Sequence, residues 1–534
     1  MPPGENVTTD ASSAAAHRSR LARSTAIFAL ATGLSRILGL VREVVAAYYF
    51  GVAGKINAFT VAFQIPNLVR ALVADAALSS AFVPVFSELL EKGDRKRAWR
   101  VASTLFWLML LGLGGLTALF ILIAPLLMRP FHPVDLNLSV GLSRLLFPIV
   151  ALLGVSGIVV GILNSYEHFS VPALTPVFWN LAIIAGLAIG VPHAGSEDAK
   201  LYVYAAAILA GTVIQVLLPI PWLRGRDDRL RMVIDWRDPA VAQTFKLMIP
   251  VTLGLGLINV NAVVDTLFAS RLIDGNLAPA AIDKAFRLYM LPQGMFSVAI
   301  ATVLFPSLSR LAARRDMDGF RHTVGLGIRQ IAFLLVPASV ISAVLAEPIV
   351  RLVYQRGAFH PGQTPVVAAA LAAFSAGLTF NGTMLMLNRA FFSLQSNWIP
   401  TWVALGNLFV NGVLDAVFYR FGIWGIPLAT SVVNIAGTAV LLVLLRRRLG
   451  RIEAGETASA TVRIVVASAV LGAVAFSVWY ALDQAFGRSF PAQLVSVGAA
   501  LVASTAAYLI CCRLLGVQEL RALLSLRNRL TKAD

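Results

Sequence analysis

Four arginines stand where arginine is costly. Arg36 and Arg42 lie in the apolar run 24–50, Arg70 in the run 57–90, and Arg287 in the run 280–311. A charge at bilayer depth costs roughly 2.5–3.5 kcal/mol on insertion scales, so a chain that keeps several there is read as using them. The guanidinium fork matches phosphate oxygens bidentately, which makes an anion, most simply a phosphate, the natural ligand. Arg36 and Arg42 do not share one tight helical face. Arg70 follows Pro66 by about one turn, with Asn67 between them, and Glu43 and Asp75 are the acidic neighbours. The candidate substrate contacts are therefore Arg36, Arg42, Arg70, Arg287, Asn67 and Asp75, facing a cationic cavity between two halves of the chain. Ion pairing between helices, with Glu43 or Asp75 as partner, is the alternative, and it is strongest for Arg42, which adjoins Glu43.

A second constellation is made of oxygen donors. Asp265 lies in NAVVDTLFAS, Asn411 and Asp415 in NLFVNGVLD, and Thr430 and Ser431 follow in the next run. Asn411 and Asp415 are four apart and share a helix face. Buried oxygens suit a hard cation such as Na⁺, and carboxylates would also serve a proton relay, so Asp265, Asn411, Asp415 and Ser431 are the candidate ion ligands. A hydrogen-bond network between helices explains the same residues equally well. Cys511 and Cys512 are adjacent, so neither a mutual disulfide nor a metal site is expected of them, and the six histidines have no ligand spacing.

The elements that must position these residues are membrane helices. The 534-residue chain is 58% hydrophobic and 13% charged, where a soluble protein has about 25% charged residues. Its apolar runs exceed about 18 residues, which predicts helices rather than a barrel. Fourteen spans are expected, near 24–50, 57–90, 101–128, 139–165, 171–192, 200–223, 241–272, 280–311, 323–346, 363–393, 399–420, 424–446, 461–484 and 490–515. Basic clusters occupy alternate loops, as in Arg95-Lys96-Arg97, Arg224 to Arg231, Arg310 to Arg321 and Arg446-Arg447-Arg448. The positive-inside rule then places both termini in the cytoplasm and explains the net charge of +17 without nucleic acid.

The two halves of the chain are alike. Ala81-Phe82-Val83-Pro84 matches Val303-Leu304-Phe305-Pro306, and Glu43 matches Asp265, each at an offset of 222 residues; Asn164 and Asn388 are 224 apart. The expected architecture is an all-α polytopic membrane protein with two six-helix lobes in a parallel pseudo-repeat and two extra C-terminal helices. The expected division is a disordered tail 1–23, an N-lobe 24–223, a cytoplasmic interfacial linker 224–240, a C-lobe 241–446, a helix pair 447–515 and a basic tail 516–534.

Three motifs carry a family resemblance: Ser35-Arg36-x-Leu38-Gly39-x-x-Arg42-Glu43, Pro66-Asn67-Leu68-x-Arg70 and Ala81-Phe82-Val83-Pro84. With them the chain resembles the MviN/MurJ family of bacterial lipid II flippases over nearly its whole length. The resemblance implies that the arginine positions line a headgroup cavity and that the last two helices border a groove for the polyprenyl tail. It implies Na⁺ at the Asp265 constellation and no other cofactor. Gly161 to Ser165 and Phe169 to Ala173 form a turn typical of the family, read as a hinge or gate at Ser165 and Pro172, with His168 as a solvated loop residue. The implied partners are lipid II, membrane lipids and the cell-wall synthesis or division machinery. The chain departs from the family at Ala71, where a second basic residue is common, and at Asn57 and Met290, where acidic residues are common.

The expected function is translocation of lipid II across the cytoplasmic membrane by alternating access, with no catalytic residue. Export of another undecaprenyl-linked oligosaccharide, or of drugs by a MATE-like antiporter, is the alternative. A membrane glycosyltransferase or phosphatase would need carboxylates or histidine at the membrane surface, where this sequence places mixed-charge linkers. A scaffold for cell-wall enzymes would leave the buried charges unexplained.

Overall fold

The computed structural model describes residues 30–73, 77–450 and 454–520, and every regular element among them is helical. The helices are α1 (30–50), α2 (Ile56–Val73), α3 (Ala77–Glu91), α4 (Arg95–Met128), α5 (Leu136–Leu146), α6 (Pro148–Ser165), α7 (Ser170–Ala185), α8 (Glu197–Leu217), α9 (Pro239–Phe268) and α10 (Ala278–Pro292). They continue with α11 (Val298–Ala313), α12 (Met317–Val344), α13 (Ala346–Tyr354), α14 (Thr364–Ser375), α15 (Leu378–Ser393), α16 (Trp398–Phe418), α17 (Gly425–Leu449), α18 (Ala454–Phe486) and α19 (Phe490–Leu514).

Short polar residues start many of them. Asp94, Asp135, Ser196, Asp316 and Ser489 each accept a backbone N–H from the first turn of the helix they precede, satisfying a donor that the helix leaves open.

Ten helical runs are long and apolar enough to cross a membrane, and α14 with α15 makes an eleventh, bent by 42°. The remaining expected spans fall on α1, on α2 with α3, and on α9. Of the run 57–90, the helical stretches Ile56–Val73 and Ala77–Glu91 are described. Pro148, which has no N–H to give, starts α6 directly after α5. The tails 1–23 and 521–534, and the candidate contact Asp75, lie outside the described residues.

The chain folds as two compact units. The first holds residues up to Ala46 and Ala58–Asn259; the second holds Ala47–Asn57 and everything from Val260 onward. The first unit is centred on α3, α4 and α6, where Phe82, Phe86, Trp99, Leu105, Ile158 and Ile162 pack together fully buried. In the second unit Ala47–Asn57 is held by backbone bonds: Ala358 N–H donates to the Tyr48 carbonyl (2.7 Å) and Gly54 N–H to Asn276 (2.8 Å). Gly51 has φ +61°, and a Cβ there would lie 2.5 Å from the Ala358 oxygen, so only glycine fits. Asn57 completes this attachment, its amide donating to the carbonyls of Val52, Gly54 and Asn276 while its oxygen accepts from Ala280 N–H. A carboxylate could not make those three donations.

The last two helices pack as small-residue helices do in lipid. Ala492, Ser496, Ala500, Ser504, Tyr508 and Cys512, spaced every four residues, form the buried stripe of α19. Tyr508 donates to the Phe333 carbonyl of α12 at 2.7 Å. Arginines within α12 and α13 fasten the pair at both ends. Arg329 meets Glu519 at 3.1 Å, and Arg351 meets Asp483 at 3.6 Å and also Glu347. The opposite, outward side chains are apolar, as with Val502 at 72% exposed, which suits a lipid-facing surface.

Candidate functional site

In the first unit the arginines differ in what holds them. Arg42 is enclosed on α1. One guanidinium nitrogen donates to Glu43 at 2.6 Å, another to Asn180 Oδ1 at 3.2 Å, and the group lies 4.7 Å over the Trp179 ring. Asn180 in turn donates to the Ser35 carbonyl and the Pro176 carbonyl, so α7 fixes both Arg42 and the turn of α1 that precedes Arg36.

Arg36 is exposed. It lines a cavity of about 380 Å³ with Thr32, Ser35, Pro172, Ala173 and Pro176. The proline-rich wall follows from sequence: Pro176 has no N–H for the Pro172 carbonyl, and Thr175 Oγ1 donates to that carbonyl instead, at 2.9 Å. Pro172, expected at a gate, is therefore part of the Arg36 cavity wall. Arg70 lies in α2. It donates twice to Asn67 Oδ1, at 2.9 and 3.2 Å, so these two candidates are brought together. Arg287, in the second unit, pairs with Asp283 one turn earlier at 3.1 Å.

The turn after α6 is tightly made. Ser165 donates to the Gly161 carbonyl, and Glu167 takes φ +58°. Tyr166 donates to Asp227 at 2.7 Å and accepts from the Trp99 indole at 3.2 Å. Burial, helped by the Asp227 hydrogen bond, pushes its hydroxyl up to about 12, so it stays a donor. His168 is not the solvated residue expected: it is half-buried with its Nε2 enclosed. Burial first, and the Arg226 charge second, hold its imidazole below the usual value.

The second unit gathers carboxyls. Asn411 Nδ2 donates to Asp265 at 2.7 Å and to Asp415 at 2.9 Å, and Asn261 donates to both Asp265 oxygens at 3.2 and 3.3 Å. Asp265, Asn411 and Asp415 are all buried. Thr430, also noted in the sequence, donates to the Ile426 carbonyl one turn earlier, at 3.4 Å. Ser431, the neighbour expected among the ligands, bonds elsewhere: its hydroxyl donates to the Ala373 and Phe374 carbonyls of α14. Ser431 also presses on Gly377, where a Cβ would lie 2.7 Å from the Ser431 Cα, and this contact sits at the break between α14 and α15. The Asn411 and Asp415 Oδ1 atoms are buried and accept no hydrogen bond. Two carboxyls that share one amide donor in a low-dielectric setting need a proton or a cation for balance, and the open oxygens are hard donors.

Asn261, Trp179 and Asn180 were not among the expected site residues. The four-residue spacing of Asn261 and Asp265 on one helix face signals the first. Nothing local signals Asn180, which meets Arg42 across 138 residues of chain.

Comparison with known proteins places this geometry. The family model for lipid II flippase MurJ matches residues 46–496. The chain is 33% identical over 441 residues to a protein of Vibrio cholerae named probable lipid II flippase MurJ, covering 79% of this chain and 82% of that one. It is 30% identical to lipid II flippase MurJ of Burkholderia cenocepacia, covering 78% and 82%. Among solved structures, lipid II flippase MurJ in an inward closed conformation superposes with TM-score 0.75 at 24% identity, over 91% of this chain and 99% of that one. An inward-facing MATE family multidrug transporter of the MOP superfamily superposes with TM-score 0.67 at 16% identity, over 78% and 95%.

Proposed function

The chain belongs to the MurJ family of lipid II flippases, and on that premise we propose how its own residues move the lipid. It is a multi-pass protein of the bacterial inner membrane, and it translocates the lipid-linked peptidoglycan precursor between leaflets. The substrate carries a sugar-peptide headgroup on a diphosphate, which hydrocarbon excludes. Both termini lie in the cytoplasm, in keeping with the basic loops.

Arg36 carries the site reading. It is an exposed guanidinium within an apolar helix, set on a cavity wall by Asn180 and the α7 prolines. Arg36 contacts the diphosphate, and Arg70, oriented by Asn67, and Arg287 supply further positive charge. Arg42 positions α1 through Glu43, Asn180 and Trp179. The turn at Ser165 is a hinge. Access alternates between the two sides of the membrane, and the prenyl tail stays in lipid beside α18 and α19.

The membrane potential drives the loaded step, since the cytosol is negative and each anionic charge moved outward gains up to about 2.3 kcal/mol per 100 mV. Asp265, Asn411 and Asp415 would hold Na⁺, which would balance their charge. Flipping that continues unchanged after the sodium gradient and the potential are collapsed would sink this coupling. Contact with cell-wall synthesis or division machinery is a further proposal, tested by co-purification from crosslinked cells.

The decisive experiment is complementation in a bacterium depleted of its own lipid II flippase, reading lipid II at the outer leaflet. Wild type rescues; Arg36→Ala, Arg70→Ala and Arg287→Ala at matched expression do not. Rescue by all four keeps the function and removes the site. A MATE-like drug exporter would not rescue, and its likeness at 16% identity speaks for the fold alone.

A further inference from the structure

The segment between α8 and α9 has two chemically different faces. Two of its acids are turned to the protein: Asp227 pairs with Arg95 at 2.6 Å and accepts from Tyr166, and Asp238 takes both arms of Arg97 at 3.0 Å. Asp228 is bonded within the segment, to Arg229 N–H and to the Arg231 side chain. Arg229, Arg231 and Arg237 are exposed. Between them, every second residue is apolar and bare: Met232 is 81% exposed, Ile234 44% and Trp236 65%. Val233 and Asp235, which lie between these three, are half-buried.

The segment is fixed along α4. Arg231 N–H donates to Ser103 Oγ (3.1 Å), the Trp107 indole donates to the Arg231 carbonyl (2.9 Å), and Asp235 N–H donates to Thr104 Oγ1 (3.0 Å). These contacts set its depth. Helix α4 has no charged side chain from 101 to 128, between Arg100 and Arg129, a length of about 42 Å at 1.5 Å per residue. That matches a bilayer of about 40–45 Å with its headgroup layers, around a hydrocarbon core of about 30 Å. Ser103 and Thr104 therefore lie in the interfacial layer, with Trp107 at its inner edge, and so does the segment bonded to them.

We propose that residues 229–237 are a strap that docks on anionic phospholipid headgroups of the cytoplasmic leaflet. Met232, Ile234 and Trp236 enter the acyl boundary, and Arg229, Arg231 and Arg237 meet the phosphates. The leaflet follows from the orientation proposed above; the depth does not. The strap gives the first unit a direct response to inner-leaflet charge.

The test uses the full chain with Cys511→Ser and Cys512→Ala, confirmed to complement. Single cysteines at Met232, Val233, Ile234 and Trp236 carry an environment-sensitive fluorophore, in vesicles of phosphatidylcholine with or without phosphatidylglycerol. Nitroxide lipids should quench positions 232, 234 and 236 strongly and 233 weakly, and more so with phosphatidylglycerol. Arg229→Gln, Arg231→Gln and Arg237→Gln together should weaken phosphatidylglycerol binding at least about tenfold. Equal quenching of all four positions by aqueous iodide would overturn the strap. So would protection from both quenchers, which would mean that a protein surface covers it. A membrane-impermeant thiol reagent that reaches the strap from outside would overturn the leaflet while leaving the depth pattern intact.

Discussion

The two units hold buried charge in different ways. In the first, Arg42 has a carboxylate, an amide and an indole around it, while Arg36 stands exposed on a cavity. In the second, Asp265 and Asp415 share the Asn411 amide and are fully enclosed. An exposed cation on a cavity suits a large anion that comes and goes. An enclosed pair of carboxyls suits a proton or a small cation. On α1 the two arginines differ in the same way: Arg42 is held by side chains, and Arg36 is the one we propose for the ligand.

The sharpest way to break that division is to remove each arginine separately. Arg42→Ala removes the guanidinium that buried Glu43 meets at 2.6 Å, and loss of one partner of a buried pair costs about 3–5 kcal/mol. The expected outcome is low abundance and a lowered melting temperature in detergent, largely restored when Glu43→Gln is added. Arg36→Ala should leave abundance and melting unchanged while flipping falls by more than about tenfold, because a charge-assisted contact to phosphate is lost. If both variants melt alike and both flip, the distinction between them is wrong.

The second unit makes a smaller demand. Asp415→Asn keeps the shape and removes one carboxylate, so sodium or pH dependence of flipping should flatten, with the rate down about tenfold, and folding should hold. A variant that keeps the wild-type sodium response would return these residues to a purely structural network. Gly377→Ala comes next. Its Cβ would meet the Ser431 backbone, and overpacking of this kind costs about 1–3 kcal/mol. Thermal unfolding should show the loss, with the Asp265 constellation unaffected, since Ser431 bonds to α14.

Much of this was legible in the sequence because lipid imposes simple rules. Apolar run length and alternating basic loops gave the helical class, and Arg36, Arg70 and Asp265 stood out as charges in apolar runs. The pairing of Asn411 with Asp415 followed from a four-residue spacing. What was hidden lies in long-range partners. Asn180 bonds Arg42 from α7, and no periodicity reports that. Ser431 stood out as an oxygen donor in an apolar run, yet its hydroxyl donates to the Ala373 and Phe374 carbonyls of α14, and only the three-dimensional arrangement shows that. The partial burial of His168 was hidden as well; the segment after α8 bonds to its turn through Tyr166 and Asp227.

A pair outside the bilayer supplies the control for both units. Arg97 and Asp238 repeat the chemistry of Arg42 and Glu43 at the water boundary, with two bonds of 3.0 Å. The Arg97 guanidinium, and next the Ala240 N–H, hold Asp238 below the ordinary carboxylate range against the effect of burial. A depressed carboxyl stabilises the folded form above its unfolded pKa, and that contribution is lost as pH falls through the lowered value. Solvent screens this pair, so its worth is at most about 1 kcal/mol. Asp238→Asn should therefore melt slightly below wild type at neutral pH. The gap should close as the pH drops below the ordinary carboxylate range and should stay constant on the alkaline side. A loss as large as that of Arg42→Ala would mean that bilayer depth is not what separates the two pairs, and the reading of Arg36 as the arginine left for a ligand would lose its physical basis.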